Sequence, residues 1–245
     1  LLDPFARSGG LRFTRIAAEL GSEHGSKGGP FDLMIAANTL VEIDREVAEL
    51  GGLLHAQTER ALAASGVLVL LEPATRDATR RLHALRDDLL ARGLHVVAPC
   101  LHQEGCPMLA RAGDWCHEVR PWEQPRYHRR LDHLARLDKR RLQFSYLALS
   151  RGAPGESAPE RAARVVSTVL REKGRIRFRT CDASSRLLDW DLLRRTGGPV
   201  ADLVAALDRG EEVRLPHARG GRLGGADDLA RLRPGGSLAR DPGER

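Results

Sequence analysis

Short apolar runs alternate with stretches in which leucines recur at helical spacing. The runs Phe31–Ala37 and Gly66–Leu71 lack an alternating polar face, which is typical of buried parallel strands. Between and after them, apolar residues recur every three or four positions, as they do in amphipathic helices. His95–Ala98 follows Gly93, a residue type that commonly ends helices, and is predicted to form a third strand. This order of elements predicts a doubly wound α/β layer.

The composition excludes two broad classes of protein. Of the 245 residues, 42% are hydrophobic and 29% are charged, which is enough for one large core or two small ones. The longest uninterrupted apolar runs, such as Val67–Leu71, are far shorter than the roughly 20 residues of a membrane-spanning helix. A wholly disordered chain and a helical membrane protein are excluded, and we expect a soluble protein. The sequence opens Leu1-Leu2-Asp3 without a methionine, so we expect a preceding segment to be missing.

Positive charge is concentrated in two stretches. Lysine and arginine outnumber aspartate and glutamate by 39 to 33, for a net charge of +6. Between Arg120 and Arg141 there are eight basic residues against three acidic ones, and between Arg161 and Arg179 seven against one. Clustered positive charge favours a phosphate-rich partner, because each phosphate contact releases counterions. A solvated helix face together with an exposed sheet face explains the same pattern equally well.

No lasting period is found between residues 99 and 125, which hold three of the four cysteines and two of the three tryptophans. We predict an irregular loop here. An apolar series at helical spacing then predicts a basic amphipathic helix, built around Tyr127, Leu131, Leu134 and Leu137. Seven glycines and two prolines among the last 27 residues, without aromatics, predict a flexible tail from Arg219 onward.

Further strands are predicted between that helix and the tail, at Phe144–Leu149, Arg164–Leu170 and Gly174–Cys181. In the last of them Ile176 and Phe178 alternate with arginines, so one face is apolar and the other carries guanidiniums and Cys181. The predicted organisation is a partial α/β domain (1–98), a cysteine-rich loop (99–125), a basic helix with a β-rich part (126–218) and a tail (219–245).

The four cysteines are the strongest candidates for a site: Cys100, Cys106, Cys116 and Cys181. An intracellular α/β protein seldom uses disulfides. A metal or cluster is the leading interpretation, because four thiolates could close a site and hold a loop that has no core of its own. The closely spaced cysteine pairs of structural zinc sites are absent, whereas iron–sulfur clusters tolerate wider spacing; zinc and unrelated buried thiols remain alternatives. His102 and His117 could act as substitute ligands, but we expect both at the surface.

Several segments, in this order, resemble those of one family: Phe31–Ile43, Leu71–Thr75 (LEPAT), Ala98–Cys100 with Cys106–Pro107, Gly113–His117 (GDWCH) and Phe144–Leu147 (FSYL). The family is the methyltransferase-like assembly and translation factor of the mitochondrial small ribosomal subunit, with its bacterial relatives. The resemblance covers roughly residues 31–182. Its most specific part is the Pro-Cys step together with Gly-Asp-Trp-Cys-His.

The resemblance implies a class I S-adenosylmethionine-dependent methyltransferase (Rossmann-like) fold, with the N-terminal part incomplete, a cysteine-rich loop and a β-rich C-terminal extension. It implies that the four cysteines are ligands of a [4Fe–4S] cluster. It also implies action on the small ribosomal subunit and its ribosomal RNA, in the mitochondrial matrix or the bacterial cytoplasm, without a membrane partner. The candidate RNA-binding residues are then arginines of the two basic stretches: Arg129, Arg130, Arg140, Arg141, Arg175, Arg177 and Arg179.

The cofactor site of such a fold is only partly represented. Its glycine-rich turn has no counterpart, and we expect that turn upstream of Leu1. Asp3 is a candidate for binding a ribose hydroxyl, or else a turn residue before Pro4; Asn38 is a candidate cofactor-binding residue or a helix N-cap. No catalytic nucleophile or base is identified, although methyl transfer depends mainly on positioning. The expected function is an RNA methyltransferase or an inactive RNA-binding assembly factor, with a zinc-stapled nucleic-acid binder as a further alternative.

Overall fold

The first of two sheets carries the parallel strands. The computed structural model describes residues 29–137, 139–153, 158–216, 220–223 and 229–232. The first sheet contains β1 (Phe31–Ala37), β2 (Leu62–Pro73), β3 (His95–Ala98), β4 (Glu118–Pro121) and β5 (Arg141–Ser150). Their order is β1-β2-β5-β3, and β4 also pairs with β5. β1 and β2 are parallel, whereas β5 runs antiparallel to its three neighbours.

Two helices cover one face of this sheet. α1 (Val47–Ala61) follows a 3₁₀ turn (Leu40–Glu42) and leads into β2, and α2 (Arg76–Ala91) connects β2 to β3. α2 begins after Thr75, whose hydroxyl oxygen accepts a hydrogen bond from the backbone N–H of Ala78 at 3.4 Å. Right-handed crossovers that advance in one direction across a sheet place their helices on the same face. The core there is built mainly from leucines, including Leu50, Leu54, Leu68, Leu70, Leu82, Leu85, Leu89, Leu147 and Leu149.

The bounds predicted for β1 and β3 are confirmed, and so is the parallel pairing of β1 with β2. The doubly wound layer is not seen in the described ranges, because α1 and α2 pack against each other on one face. β1 is also less buried than predicted, with Leu33 54% and Ile35 63% exposed. Asp3 lies outside the described residues. None of the described helices is long and apolar enough to cross a membrane.

The second sheet forms the β-rich part predicted after residue 126. Its strands are β6 (Ala162–Val165), β7 (Leu170–Glu172), β8 (Arg175–Asp182), β9 (Leu187–Leu193), β10 (Glu212–Arg214), β11 (Gly221–Leu223) and β12 (Ala230–Arg231). The order is β11-β9-β8-β6-β10-β12, with β7 paired to β8. Helix α4 (Arg194–Ala205) packs on the apolar face, over a core that includes Ile176, Phe178, Trp190, Leu192 and Val204.

The alternation predicted for β8 is confirmed, because Ile176 and Phe178 are 2% and 3% exposed while the arginines between them lie on the opposite face. The single strand predicted over 164–170 is instead two strands, β6 and β7, separated by a loop. Where a flexible tail is predicted from residue 219, the structure places β11 and β12 in the sheet, with Leu223 buried.

The predicted basic helix is α3 (Arg126–Leu134). Its apolar series is not buried, however, since Tyr127 is 63%, Leu131 57% and Leu134 71% exposed. The helix contacts the rest of the chain through its polar edge: the ring of His128 packs against Trp122, and the carboxylate of Asp132 accepts a hydrogen bond from Gln124. Both the apolar and the basic side of α3 therefore face outward.

Candidate metal centre

All four cysteines line one cavity. It has a volume of about 40 Å³, about three times the ~10–15 Å³ that a single water needs, and lies where α2, the cysteine-rich loop, β5, β6 and β8 meet. The four thiols are free rather than paired in disulfides. Each of the four cysteines is only partly accessible to solvent. As the side chains stand, no three His, Cys, Asp or Glu residues of the described ranges form a group that could bind a single metal ion.

Each thiol is placed by a different element. Cys100 follows β3, and Cys106 begins the 3₁₀ turn Pro107–Ala110, with its backbone N–H donating to the carboxylate of Asp87 in α2 at 2.9 Å. Cys116 precedes β4, and Cys181 lies in β8, directly opposite Arg164 of β6. Three thiols thus come from the loop attached to the first sheet, and the fourth comes from the second sheet.

α2 holds the cysteine-rich loop through two arginines that the sequence analysis did not identify. Arg86 is 1% exposed and donates to the carbonyl oxygens of His102 at 2.9 Å and Glu104 at 2.8 Å. Arg80 donates from one nitrogen to three more loop carbonyls, those of Met108 (2.9 Å), Arg111 (2.7 Å) and Asp114 (2.8 Å). The loop is therefore anchored by protein hydrogen bonds as well as by any metal.

Burial dominates the acid–base behaviour of the thiols. It raises the pKa of Cys106 to about 12 and also raises the pKa of Cys100 and Cys181. The charge of each neighbouring thiolate raises these values further, whereas the guanidinium of Arg86 opposes the rise at Cys100. Without metal these three thiols are protonated at neutral pH, and a bound metal must displace their protons.

Positive charge surrounds the cavity and fits an anionic sulfur centre. The side chains of Arg86 and Arg164 are 2% and 5% exposed, and Nη1 of Arg164 donates to Sγ of Cys116 at 2.9 Å. One equally buried carboxylate, that of Glu118, pairs with Arg164. Buried guanidiniums require counter-charge. Asp87, which pairs with Arg86 at 2.6 Å, and Glu118 supply part of it, and thiolates bound to a metal would add to it, so the residues present fit a cluster or metal ion held by four cysteines.

Two histidines expected at the surface are buried, which corrects that prediction. His102 is 5% exposed, and its Nε2 lies 3.6 Å from Sγ of Cys181. His117 is 8% exposed, stacks on Trp115, and has Nδ1 3.0 Å from a guanidinium nitrogen of Arg209. Both lie in the wall of the cavity, because the loop folds back onto α2 and the second sheet.

A third buried histidine, His83 of α2, was missed by the sequence analysis and predicts a pH-dependent stability. Burial lowers the pKa of His83 and of His117 to about 4. Below about pH 6.5 the unfolded chain binds a proton at each ring, whereas the folded chain does not until about pH 4. The free energy of unfolding should therefore fall as the pH drops from 6.5 to 4, by up to about 3 kcal/mol per histidine.

Urea unfolding of wild-type and His83→Gln protein between pH 7.5 and 4.5 checks this expectation. The free energy of unfolding of the variant should fall less steeply as the pH drops. The reason is that glutamine has no ring that takes up a proton in the unfolded chain while staying neutral in the folded one. His133→Gln, a change on the exposed surface of α3, is the matched control. Identical pH profiles for His83→Gln and wild type would contradict the assignment.

Asn38 lies at the carboxyl end of β1, as predicted for a ligand-facing position. It is exposed, adopts a left-handed backbone with φ 52°, and donates its N–H to the carbonyl of Leu71 at 2.8 Å. The N-cap alternative is wrong, since the cap of the 3₁₀ turn is Thr39. Sequence reasoning missed Glu72 beside it, which is 1% exposed; its Oε1 accepts from the N–H of Leu40 at 2.9 Å.

The arginines predicted to bind RNA differ in whether they form ion pairs within the protein. On β8 each is paired with carboxylates: Arg175 with Glu172 (2.8 Å) and Asp191 (3.5 Å), Arg177 with Glu172, and Arg179 with Asp189 (2.7 Å) and Asp114 (3.3 Å). Arg141 pairs with Asp208, and Arg140 precedes β5. Arg129 and Arg130 are exposed on α3 and form no ion pair with any described residue.

Comparison with protein families gives one match. The family model described as mitochondrial small ribosomal subunit Rsm22 matches residues 11–200, which is more than three quarters of the chain. The matched range includes all four cysteines, α3 and both basic stretches. A comparison with curated proteins finds no match.

Proposed function

The chain belongs to the Rsm22 family of the mitochondrial small ribosomal subunit, and we propose that it is an assembly factor that binds small-subunit ribosomal RNA. In this proposal the protein has a methyltransferase-like α/β fold and a [4Fe–4S] cluster held by the four cysteines. We expect the protein in the compartment that contains its ribosome, which is the mitochondrial matrix or the bacterial cytoplasm.

The main support for the proposed cluster is that the four thiols converge on one cavity. Cysteines with as many as 64 residues between neighbours in the sequence meet in a buried, positively charged pocket. A bound cluster would supply four iron–thiolate bonds that join the loop to the second sheet. The wide spacing of the ligands favours iron over structural zinc.

Metal analysis tests this assignment directly. The protein is purified anaerobically, and iron, acid-labile sulfide, zinc and the visible absorption spectrum are measured. We expect about four iron atoms per chain together with the absorption of an iron–sulfur cluster. A content of one zinc and no iron per chain would show that the four cysteines hold a structural zinc ion and not a cluster.

The basic side of α3 supports contact with RNA. Arg126, Arg129 and Arg130 lie on its exposed surface without ion pairs to described residues. The guanidiniums of β8 are instead engaged by carboxylates, so a phosphate would have to displace those partners. We therefore assign the RNA contact to the helix rather than to the arginines of β8.

The double change Arg129→Ala/Arg130→Ala is expected to weaken binding to a small-subunit ribosomal RNA fragment and to flatten its salt dependence. Each lost phosphate contact should lower the slope of log K against log salt by roughly one. Fluorescence titration at several salt concentrations measures this slope. The matched control, Arg175→Ala/Arg177→Ala, should leave it nearly unchanged. Equal slopes for the α3 variant and wild type would show that the arginines of this helix do not contact RNA phosphates.

Methyl transfer is the second candidate function, and it is favoured by the carboxyl edge of the parallel pair β1 and β2. Ligands of open α/β sheets bind at this edge, where Asn38 takes a left-handed backbone and Glu72 is buried. The strand order, with β5 antiparallel between β2 and β3, is compatible with the methyltransferase-like fold. Calorimetric titration of the full-length protein with S-adenosylmethionine tests whether the cofactor binds, and the absence of heat at millimolar ligand would exclude methyl transfer and leave RNA binding as the function.

A further inference from the structure

Arg164 connects the two parts of the chain that carry the thiols. It lies in β6, where it is directly opposite Cys181 of β8. Its side chain, 5% exposed, reaches across to the loop, and Nη1 donates to Sγ of Cys116 at 2.9 Å. One guanidinium therefore contacts a thiol of the loop while its own strand is paired with the strand of the fourth thiol.

The guanidinium of Arg164 has both carboxylates and a thiol as neighbours. Glu118 pairs with Arg164 through one oxygen and with Arg120 through the other, at 2.5 Å. Glu212, directly opposite Arg164 in β10, is a second carboxylate close to both guanidiniums. Anions stabilise a buried cation, so a metal-bound sulfur at Cys116 would add a favourable charge beside Arg164. Hydrogen bonds from charged donors are also stronger and more directional than those between neutral groups.

We propose that Arg164 is a positioning residue of the four-cysteine centre: its hydrogen bond holds the sulfur of Cys116 in the cavity, and its charge partly neutralises the bound metal centre. The inference rests on the proposed metal centre, but not on the identity of the metal. Four thiolates leave both a zinc ion and a [4Fe–4S] core anionic. Groups that orient metal ligands in this way commonly set metal affinity and, for clusters, the reduction potential.

Cobalt binding tests the proposal without reference to iron. Metal-free protein, prepared anaerobically, is titrated with Co²⁺ against a competing chelator, and the thiolate-to-metal absorption is followed. The double change Arg164→Met/Glu118→Gln removes both buried charges, a replacement that is often neutral for stability. We expect it to weaken Co²⁺ binding by roughly 10–100-fold. An affinity equal to that of wild type would overturn the proposal.

Two further variants separate positioning from general packing. Arg164→Lys keeps the charge and the partner Glu118 but loses the planar fork, and it should fall between wild type and the double variant in Co²⁺ affinity. Arg151→Met/Glu59→Gln removes a partly exposed ion pair away from the cavity and should leave the affinity unchanged. A loss of the same size in this control would also overturn the proposal.

The iron-loaded protein gives a readout that a purely structural role would not move. Reductive titration with dithionite should show a lower reduction potential in the Arg164→Met/Glu118→Gln variant, because the charged hydrogen bond to Sγ of Cys116 is lost and hydrogen bonds to the sulfurs favour the more negative reduced state. An unchanged potential would contradict the role of Arg164. If wild-type protein contains no iron, the cluster is wrong, and the cobalt comparison still decides whether Arg164 holds Cys116.

Discussion

Replacing Cys181 by serine is expected to reduce the iron content of the anaerobically purified protein from about four atoms per chain to nearly none. Cys181 is the thiol contributed by the second sheet to the proposed centre, and the other three thiols lie in or beside the loop on the first sheet. A serine hydroxyl is a poor replacement for a soft thiolate, so one corner of the cluster would lose its ligand. Iron and acid-labile sulfide per chain, together with the visible spectrum, measure the effect.

The control for this change is Ser184→Ala, an exposed position three residues further along the chain. It should retain iron at the wild-type level, which would show that the loss in Cys181→Ser comes from the thiol and not from disturbance of the turn after β8. Full iron in the Cys181→Ser protein would instead place the fourth ligand elsewhere. His102, whose Nε2 lies 3.6 Å from Sγ of Cys181, would then be the first substitute ligand to examine.

Local pattern was sufficient for the elements that carry the thiols. The apolar runs predicted β1 and β3 with their bounds, and two-residue alternation correctly placed Ile176 and Phe178 inside β8. These features depend on nearest neighbours in sequence, where side-chain period and secondary structure are directly coupled. The same reasoning placed Cys181 on the polar face of β8, from which it reaches the cavity.

The walls of the cavity could not be predicted in this way, because they depend on contacts between distant segments. His83 and Arg86 are polar or charged residues of α2, and such residues are expected to face solvent. In the structure the loop covers both of them. The sequence did contain a signal for this contact, a stripe of polar residues at three- and four-residue spacing on one side of α2. The stripe consists of Arg80, His83, Arg86 and Asp87, and it meets the loop.

The guanidiniums of β8 show what charge counted along the sequence leaves out, because each of them forms ion pairs with carboxylates in the structure. Asp189 and Asp191 lie in β9, and antiparallel pairing sets them directly opposite Arg179 and Arg177. Charge counted along the sequence misses such pairing, because opposite charges on adjacent strands are separated by about ten residues in the chain. The arginines of α3 are not paired with acidic residues of a neighbouring strand in the part of the chain that the structure describes, and their contact with RNA stays a prediction.

Replacing Glu118 by glutamine is expected to lower the free energy of unfolding by about 3–5 kcal/mol, because it leaves Arg164 buried without its carboxylate. The site cannot relax easily. Gly210, at φ 86°, approaches so closely that a Cβ built there would lie 1.9 Å from Oε2 of Glu118. Urea unfolding of the anaerobically purified protein measures the loss.

Two comparisons make this result specific to the buried pair. Glu59→Gln breaks the ion pair with Arg151, whose partners are 45% and 31% exposed, and should cost at most about 1 kcal/mol. Adding Arg164→Met to Glu118→Gln should restore much of the lost stability, because the unpaired buried cation is then gone. A Glu118→Gln loss no larger than that of Glu59→Gln would mean that water reaches Arg164. In that case Arg164 would be hydrated, and its hydrogen bond to Sγ of Cys116 could not position that sulfur as proposed.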